Sequence, residues 1–292
     1  MLELMLPALV ASLILVAIHA YLGIHIIARG VIFVDLALAQ TAAMGWAAAS
    51  LGLGSALGGW LGISEGAAGY AIGLAATLVA AGLFSVTRME HDYIPQEAII
   101  GIVYVVATAA TILLAAQAPR GAEHVEQLLT GTLLWVSWPQ IWRTAGIYAV
   151  IGAVHWIFRE RFMTITLNPA EARRRGWRMA GWDFLFYALF GLVVTLSVAI
   201  AGVLVVFSFL VIPAVIAFLF TNRPSRLIGI ACVAGTLATV VGLYSSFQTD
   251  WPTGPTVVVA FAIALLVAFV LRVVLRRFGV PTVVKAVAAG DD

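Results

Sequence analysis

Residues 202–220 read GVLVVFSFLVIPAVIAFLF, nineteen positions with no charge and a single hydroxyl, Ser208. At about 1.5 Å of rise per residue, such a run is close to the length needed to cross about 30 Å of hydrocarbon. An amphipathic surface helix would show a polar stripe, and this segment has none. Pro213 removes one helical hydrogen bond near the middle of the run and is read as a kink. The rest of the chain follows the same pattern. It is 63% hydrophobic and only 10% charged, with a mean hydropathy of +1.06, whereas soluble domains carry about 25% charged residues. The 16 basic and 14 acidic residues therefore belong to connections between spans. The fold class is all-α, a polytopic integral membrane protein.

Candidate spans lie near 5–27, 31–54, 66–86, 97–117, 128–158, 182–200, 202–221, 226–247 and 256–275, nine in all, with eight to ten plausible. Segment 128–158 is too long for one straight crossing and is interrupted by Trp138-Pro139 and Arg143. It reads as a short broken or re-entrant helix followed by one crossing. The N-terminal Met1-Leu-Glu-Leu-Met lacks the basic stretch of a secretory signal, so the first run is read as a retained span. Cytoplasmic loops collect Lys and Arg. With the N-terminus outside, 14 of the 16 basic residues fall inside; Arg120 falls outside and Arg143 is unassigned. This orientation makes residues 1–278 a single transmembrane domain and 279–292 a cytoplasmic tail that holds Lys285.

Several chemistries are excluded. Cys232 is the only cysteine, which rules out an internal disulfide and any cysteine-based zinc motif. Lys285 is the only lysine, so no phosphate-gripping Gly-Lys-Ser/Thr loop exists, and any ATP hydrolysis must come from a separate subunit. The basic residues flank apolar runs and form no nucleic-acid-binding face. Gly62-Ile-Ser-Glu-Gly66 matches G-x-S-x-G in letters but lacks the strand-turn-helix setting that the motif requires.

The second span is built of small residues, with Ala39, Ala43 and Ala47 on one face and with Asp35, Gln40 and Thr41. A helix this small and polar belongs among other helices, with Gln40 and Thr41 as interhelical hydrogen-bonding groups or beside a pathway. Ionisable groups within spans are functional candidates: Asp35, His19 and His25, Glu97 at the start of the fourth span, and His155 and Asp183 on either side of a basic loop. His19 and His25 do not share a helical face. In that loop Asn168-Pro169-Ala-Glu171-Ala172-Arg173-Arg174-Arg175-Gly176 predicts a short helix. Asn168 is its cap, Pro169 its first residue, Glu171 the acid of a capping box, the arginines its C-terminal cations and Gly176 its stop. So short a helix cannot persist in water unaided.

Five blocks, taken in order, resemble one family: Leu22-Gly23 through Phe33 with Ala37-Leu-Ala-Gln40 and Gly45; Glu97-Ala-Ile-Ile-Gly101-Ile-Val103; His124 to Ser137 with Leu128-Leu-Thr-Gly131; Gly202 to Ala214; and Asp250-Trp-Pro-Thr-Gly254-Pro255-Thr256. Over about residues 15–270 the chain resembles the permease subunits of bacterial metal-ion ABC importers, which handle zinc, manganese or iron. The resemblance implies a homodimer with a path on its axis, a cytoplasmic ABC ATPase subunit, an extracytoplasmic substrate-binding protein and a place in the bacterial inner membrane. It also implies that residues 168–178, with Pro169, Glu171, Ala172, Arg173, Arg174 and Gly176, form the coupling helix that docks into the ATPase.

One departure concerns the metal. The family's second span carries Asp and His four apart, and these positions align with Leu36 and Gln40 here, with Asp35 one residue early. A rotation of about 100° per residue takes Asp35 off the Gln40 face, and a carboxamide is a poor zinc ligand. The expected path residues are therefore Asp35, Gln40, Glu97 and His25 as weak contributors. No cofactor is held permanently and the divalent metal is cargo, with zinc first, then manganese or iron. A permease for a metal chelate, of the siderophore or cobalamin type, shares the architecture. A stand-alone secondary transporter would need intramembrane charge pairs that the sequence does not suggest.

Overall fold

The computed structural model describes residues 2–87, 95–117, 131 and 133–278. Among these every regular element is helical: α1 Leu2–Arg29, α2 Val34–Ala48, α3 Gly54–Leu61, α4 Glu65–Val86, α5 Gln96–Ala115, α6 Trp138–Ile157, α7 Arg159–Leu167, α8 Pro169–Arg174, α9 Met179–Ala201, α10 Val203–Phe220, α11 Pro224–Thr249 and α12 Thr253–Arg277. Eight helices are long and apolar enough to cross a membrane, with α2 and α3 counted as one; α6 with α7, bent by 72° between them, makes nine. The chain is thus a polytopic helical membrane protein, as its composition requires. Residues 279–292 and most of 118–132, including His124 and Leu128, lie outside the described residues.

Two compact units are present. The first comprises Met1–Ile27, Leu133–Ile141 and Leu204–Asp292. Its core sets Ala20 and Ile24 of α1 against Ala214 and Ala217 of α10 and Leu227 and Ala231 of α11. A Cβ at Gly23 would lie 2.0 Å from the Leu210 carbonyl oxygen, so only glycine allows α1 and α10 to meet here. Pro213 lies inside α10, and its ring packs beside Gly235 of α11.

The second unit, Ala28–Thr132 and Trp142–Val203, is organised around α2. Eleven of the 15 residues of α2 are buried, against α4, α5 and α9. The small stripe explains this: Ala39, Ala43 and Ala47 are all buried, and a Cβ on Gly45 would lie 2.6 Å from the Gly73 Cα. Thr41, however, is not interhelical glue. Its hydroxyl donates to Leu38 O of its own helix at 2.8 Å, as a buried threonine does when no acceptor on a neighbour lies closer. Hydroxyl contacts between helices occur elsewhere, for example at Thr77–Thr195 (3.3 Å) and between Tyr148 and Ser197.

Two details differ from the sequence reading. The second span is broken: a π-helical turn covers Ala49–Leu53, and Gly52 has φ 104° before α3 resumes at Gly54. Such a φ is open to glycine and strained for other residues. Within the described residues α6 runs unbroken from Trp138 to Ile157, with a 3₁₀ turn at Leu133–Trp135 before it; the short broken or re-entrant helix expected at the start of segment 128–158 falls largely outside the described residues. Pro139 does not interrupt α6 because it occupies the first turn, where a missing N–H costs nothing.

Candidate functional site

The polar groups of α2 and α5 gather at one loop. Asp35 is the second residue of α2, where the helix dipole favours a carboxylate; it is buried and its Oδ1 has no hydrogen bond. Glu97 stands equally early in α5. Its Oε1 accepts from the Phe33 N–H at 3.0 Å, and its Oε2 is buried without a hydrogen bond. The short Gly30–Phe33 connection therefore ties the two carboxylate-bearing helix starts together. Gln40 is buried further along α2. His25 belongs to the first unit, edge-on to Tyr21 with ring centroids 4.9 Å apart. Among the described residues no three His, Cys, Asp or Glu side chains come together as a metal-binding group.

The same end of the second unit holds a buried ion pair. Arg29 Nη1 lies 2.7 Å from Asp183 Oδ1, with side chains 2% and 1% exposed. Its Nε donates to Thr166 Oγ1 at 3.0 Å, and the guanidinium sits 4.0 Å above the Phe186 ring. The residue thus uses charge, a planar donor fork and an aromatic face at once, which is the particular competence of arginine. His155, at the end of α6, stacks on Phe162 at 4.5 Å and meets the edge of Phe186. Arg29 links the end of α1 to the start of α9 through Asp183 and to α7 through Thr166. In the sequence Arg29 is one of the basic residues assigned to the inside, and Asp183 and His155 are ionisable candidates with no partner named. A partner 154 residues away leaves no local signal.

Thr166 lies two residues before Asn168, where α8 begins. Asn168 Oδ1 accepts from the Glu171 N–H at 3.1 Å, and Pro169 follows as the first helical residue. The end of α8 is a Schellman turn: Trp177 N donates to Ala172 O and Gly176 N to Arg173 O, at 3.2 and 2.8 Å, with Gly176 at φ 70°. The capping box is only half made. The Asn168 N–H already donates to Thr164 O at 2.8 Å, closing α7, so Glu171 turns to the arginines instead. It accepts from Arg175 Nε at 2.8 Å and pairs with Arg174. Arg175 also reaches Glu160 of α7 at 2.9 Å, and the Arg175 and Arg161 guanidinium groups lie 5.4 and 5.7 Å from the Trp177 ring. The support that so short a helix needs thus comes from α7 and from the complete burial of Ala172. The Arg175 hydrogen bond, aided by the Arg174 charge, holds the Glu171 carboxyl below its ordinary range; the Glu171 and Glu160 hydrogen bonds raise Arg175. Arg173 and Arg174 remain exposed.

A multi-pass helical bundle with a stapled, cation-bearing helix between two of its spans has the form of a membrane permease that works with a partner. Residues 1–272 match the model of the ABC 3 transport family, and the chain belongs to that family. It is 26% identical over 200 residues to the manganese transport system membrane protein MntC of Listeria monocytogenes, covering 68% of this chain and 71% of the relative. It is 24% identical over 273 residues to the high-affinity zinc uptake system membrane protein ZnuB of Haemophilus influenzae, covering 93% and 99%. Its fold is similar to a solved chain of PsaBC from Streptococcus pneumoniae in complex with Fab, at TM-score 0.73 and 22% identity over 91% of each chain. These relatives are membrane subunits of transport systems, not catalytic enzymes.

Proposed function

We propose that this chain is the membrane-spanning permease subunit of an ATP-driven importer for a divalent metal ion, in a bacterial inner membrane. It pairs with a second copy of itself, a cytoplasmic ABC ATPase subunit and an extracytoplasmic substrate-binding protein. The N-terminus is outside, and α8 and the C-terminus are cytoplasmic. The observation that carries the reading is α8. It is too short to persist alone, yet it is capped at both ends, propped on α7 and presents Arg173 and Arg174 outward. A helix built this way serves contact with another protein. ATP binding by the partner moves α8. Thr166 and Arg29 carry that movement to the Gly30–Phe33 connection, and so to the helix starts that bear Asp35 and Glu97. The spans then repack between outward and inward access.

Relatives named for manganese and zinc transport support a metal ion as cargo. Within that class we rank the metals by donor chemistry. Asp35, Glu97 and Gln40 offer oxygen atoms, and carboxylate and carbonyl oxygens together suit manganese, whereas zinc, which also takes carboxylates, favours a set that includes imidazole or thiolate. This ordering puts manganese ahead of iron and zinc, although the sequence alone put zinc first. The Leu36 and Gln40 departure keeps one second reading in place, the import of a metal chelate that needs no tight intramembrane ligand pair.

The test is elemental uptake in cells lacking the chain, set beside the complemented strain and a Gln40→His variant. The expected outcome is a manganese deficit that the wild type restores, with zinc uptake rising relative to manganese in the histidine variant. A deficit in zinc alone would overturn the ranking. No deficit in any free ion, with loss of chelate uptake, would establish the second reading instead.

A further inference from the structure

We propose that the crevice between α4, α6 and α9 is a binding site for one anionic phospholipid, with its phosphate on Arg143 and the upper part of an acyl chain in the slot beneath. Arg143 is the only Asp, Glu, Lys or Arg in α6 and, among the described residues, makes no hydrogen bond or ion pair. A cation six residues into a membrane-spanning helix, with no carboxylate partner among the described residues, calls for a counter-charge or for reach to the interface. A crevice of about 300 Å³ opens beside it, lined by Tyr70, Leu74, Ile147, Leu192 and Leu196. Tyr70, Arg143 and Thr195 share this lining with aliphatic side chains. The small Ala67 and Ala71 on α4 keep the slot open.

The dimensions fit an amphiphile lying along the bundle. From Ala67 to Leu74 the slot follows α4 for about 10 Å, a third of the hydrocarbon thickness of about 30 Å. Arg143 lies about 8 Å along α6 from its first residue, at a depth where a long side chain reaches the phosphate layer. Trp142, beside it in sequence, is 64% exposed, as befits a ring at the headgroup level. The one polar side chain on α9 that lines the slot is already satisfied, because Thr195 Oγ1 donates to Gly191 O at 2.8 Å. The ligand is thus asked for one charge contact and otherwise for hydrocarbon. A surface meant for a protein partner would offer more hydrogen-bonding groups, and the bilayer supplies the amphiphile at high concentration.

The test uses the full chain in nanodiscs of equimolar phosphatidylcholine and phosphatidylglycerol, with retained lipid counted by native mass spectrometry after a mild detergent wash. The wild type should retain phosphatidylglycerol in preference to phosphatidylcholine. Arg143→Gln should lower that retention about fivefold, which corresponds to about 1 kcal/mol for one interfacial cation, and leave phosphatidylcholine unchanged. Leu196→Trp fills the slot, keeps the charge and should lower retention of both lipids. Equal retention by wild type and Arg143→Gln would overturn the headgroup contact, and unchanged retention by Leu196→Trp would overturn the slot. A photo-crosslinker at Ile147 should label lipid; capture of a second copy of the chain would assign the crevice to a protein interface and end the proposal.

Discussion

Two charge clusters of the second unit differ in kind. Arg29 and Asp183 are buried, their side chains 2% and 1% exposed, while Arg174 and Arg175 are 77% and 44% exposed around Glu171. In the buried cluster each charge has been taken out of water, and the loss is offset by a direct ion pair, a hydroxyl acceptor and an aromatic face. In the exposed cluster water competes for every contact, and such pairs contribute little to stability. The buried pair thus holds the fold at the point where three helices meet, and the exposed one shapes a surface. The comparison assigns the two clusters opposite phenotypes: loss of folding for the first, loss of coupling with intact folding for the second.

The largest expected effect on stability is that of Asp183→Ala, which leaves Arg29 buried without its counter-ion. Breaking one partner of a buried pair costs about 3–5 kcal/mol, to be read from denaturant unfolding of the detergent-solubilised chain. The double variant Arg29→Met with Asp183→Leu removes both charges and should recover most of that loss, since apolar replacements of buried pairs are often neutral. Assembled with the ATPase subunit, the recovered protein should support ATP hydrolysis that no longer responds to substrate, as a relay through Arg29 requires. Full transport by the double variant would reduce the pair to a structural role. Thr166→Val is the milder version. It deletes one hydrogen bond to a charged donor and should cost about 1.5–3 kcal/mol, with transport falling more than stability if α7 is the element that Arg29 steers.

How much of this was legible in the sequence depends on the range of the interaction. Spans are a local property, so hydropathy located the eight helices long and apolar enough to cross among the described residues. The helix at Pro169–Arg174 was legible for the same reason, because its cap, first proline and stop lie within nine residues. The reciprocal half of its capping box was not, since that depends on Thr164 O having taken the Asn168 N–H first. The break at Gly52 escaped notice because glycine is frequent throughout, with 27 in the chain, and only backbone geometry distinguishes a packing glycine from a bent one. The Arg29–Asp183 pair was invisible on general grounds: a charge at the end of an apolar run looks the same whether it faces lipid headgroups or another helix. Asp35 and Glu97 were found as residues, but the shared loop that joins them through the Phe33 N–H was not.

On the exposed side, Glu171→Lys combined with Arg174→Glu should leave the unfolding midpoint unchanged and abolish the stimulation of ATP hydrolysis by substrate. Co-purification of the ATPase subunit would report docking directly. Normal transport by this variant would sink the docking role of α8, and a large fall in stability would show that the comparison between the two clusters is drawn in the wrong place.

The smallest effect is a pH dependence confined to α8. The Glu171 carboxyl is held below its ordinary value of 4.5 by the Arg175 hydrogen bond and the Arg174 charge. Its folded-state pKa is depressed, so the stability it contributes is present above the unfolded value and is lost as pH falls through the folded one. Arg175 is shifted upward and stays charged throughout that range, so the carboxylate alone sets the sign. Hydrogen exchange at the backbone amides of Ala172 to Trp177 should accelerate relative to α9 only on the acid side of pH 4.5. Glu171→Gln should remove the dependence and raise the exchange at neutral pH to the acid level. The amides at the start of α9, beside the buried Arg29–Asp183 pair, serve as the reference region. If both regions loosen together, the ion pairs of α8 are an extension of the buried cluster and not a separate surface device.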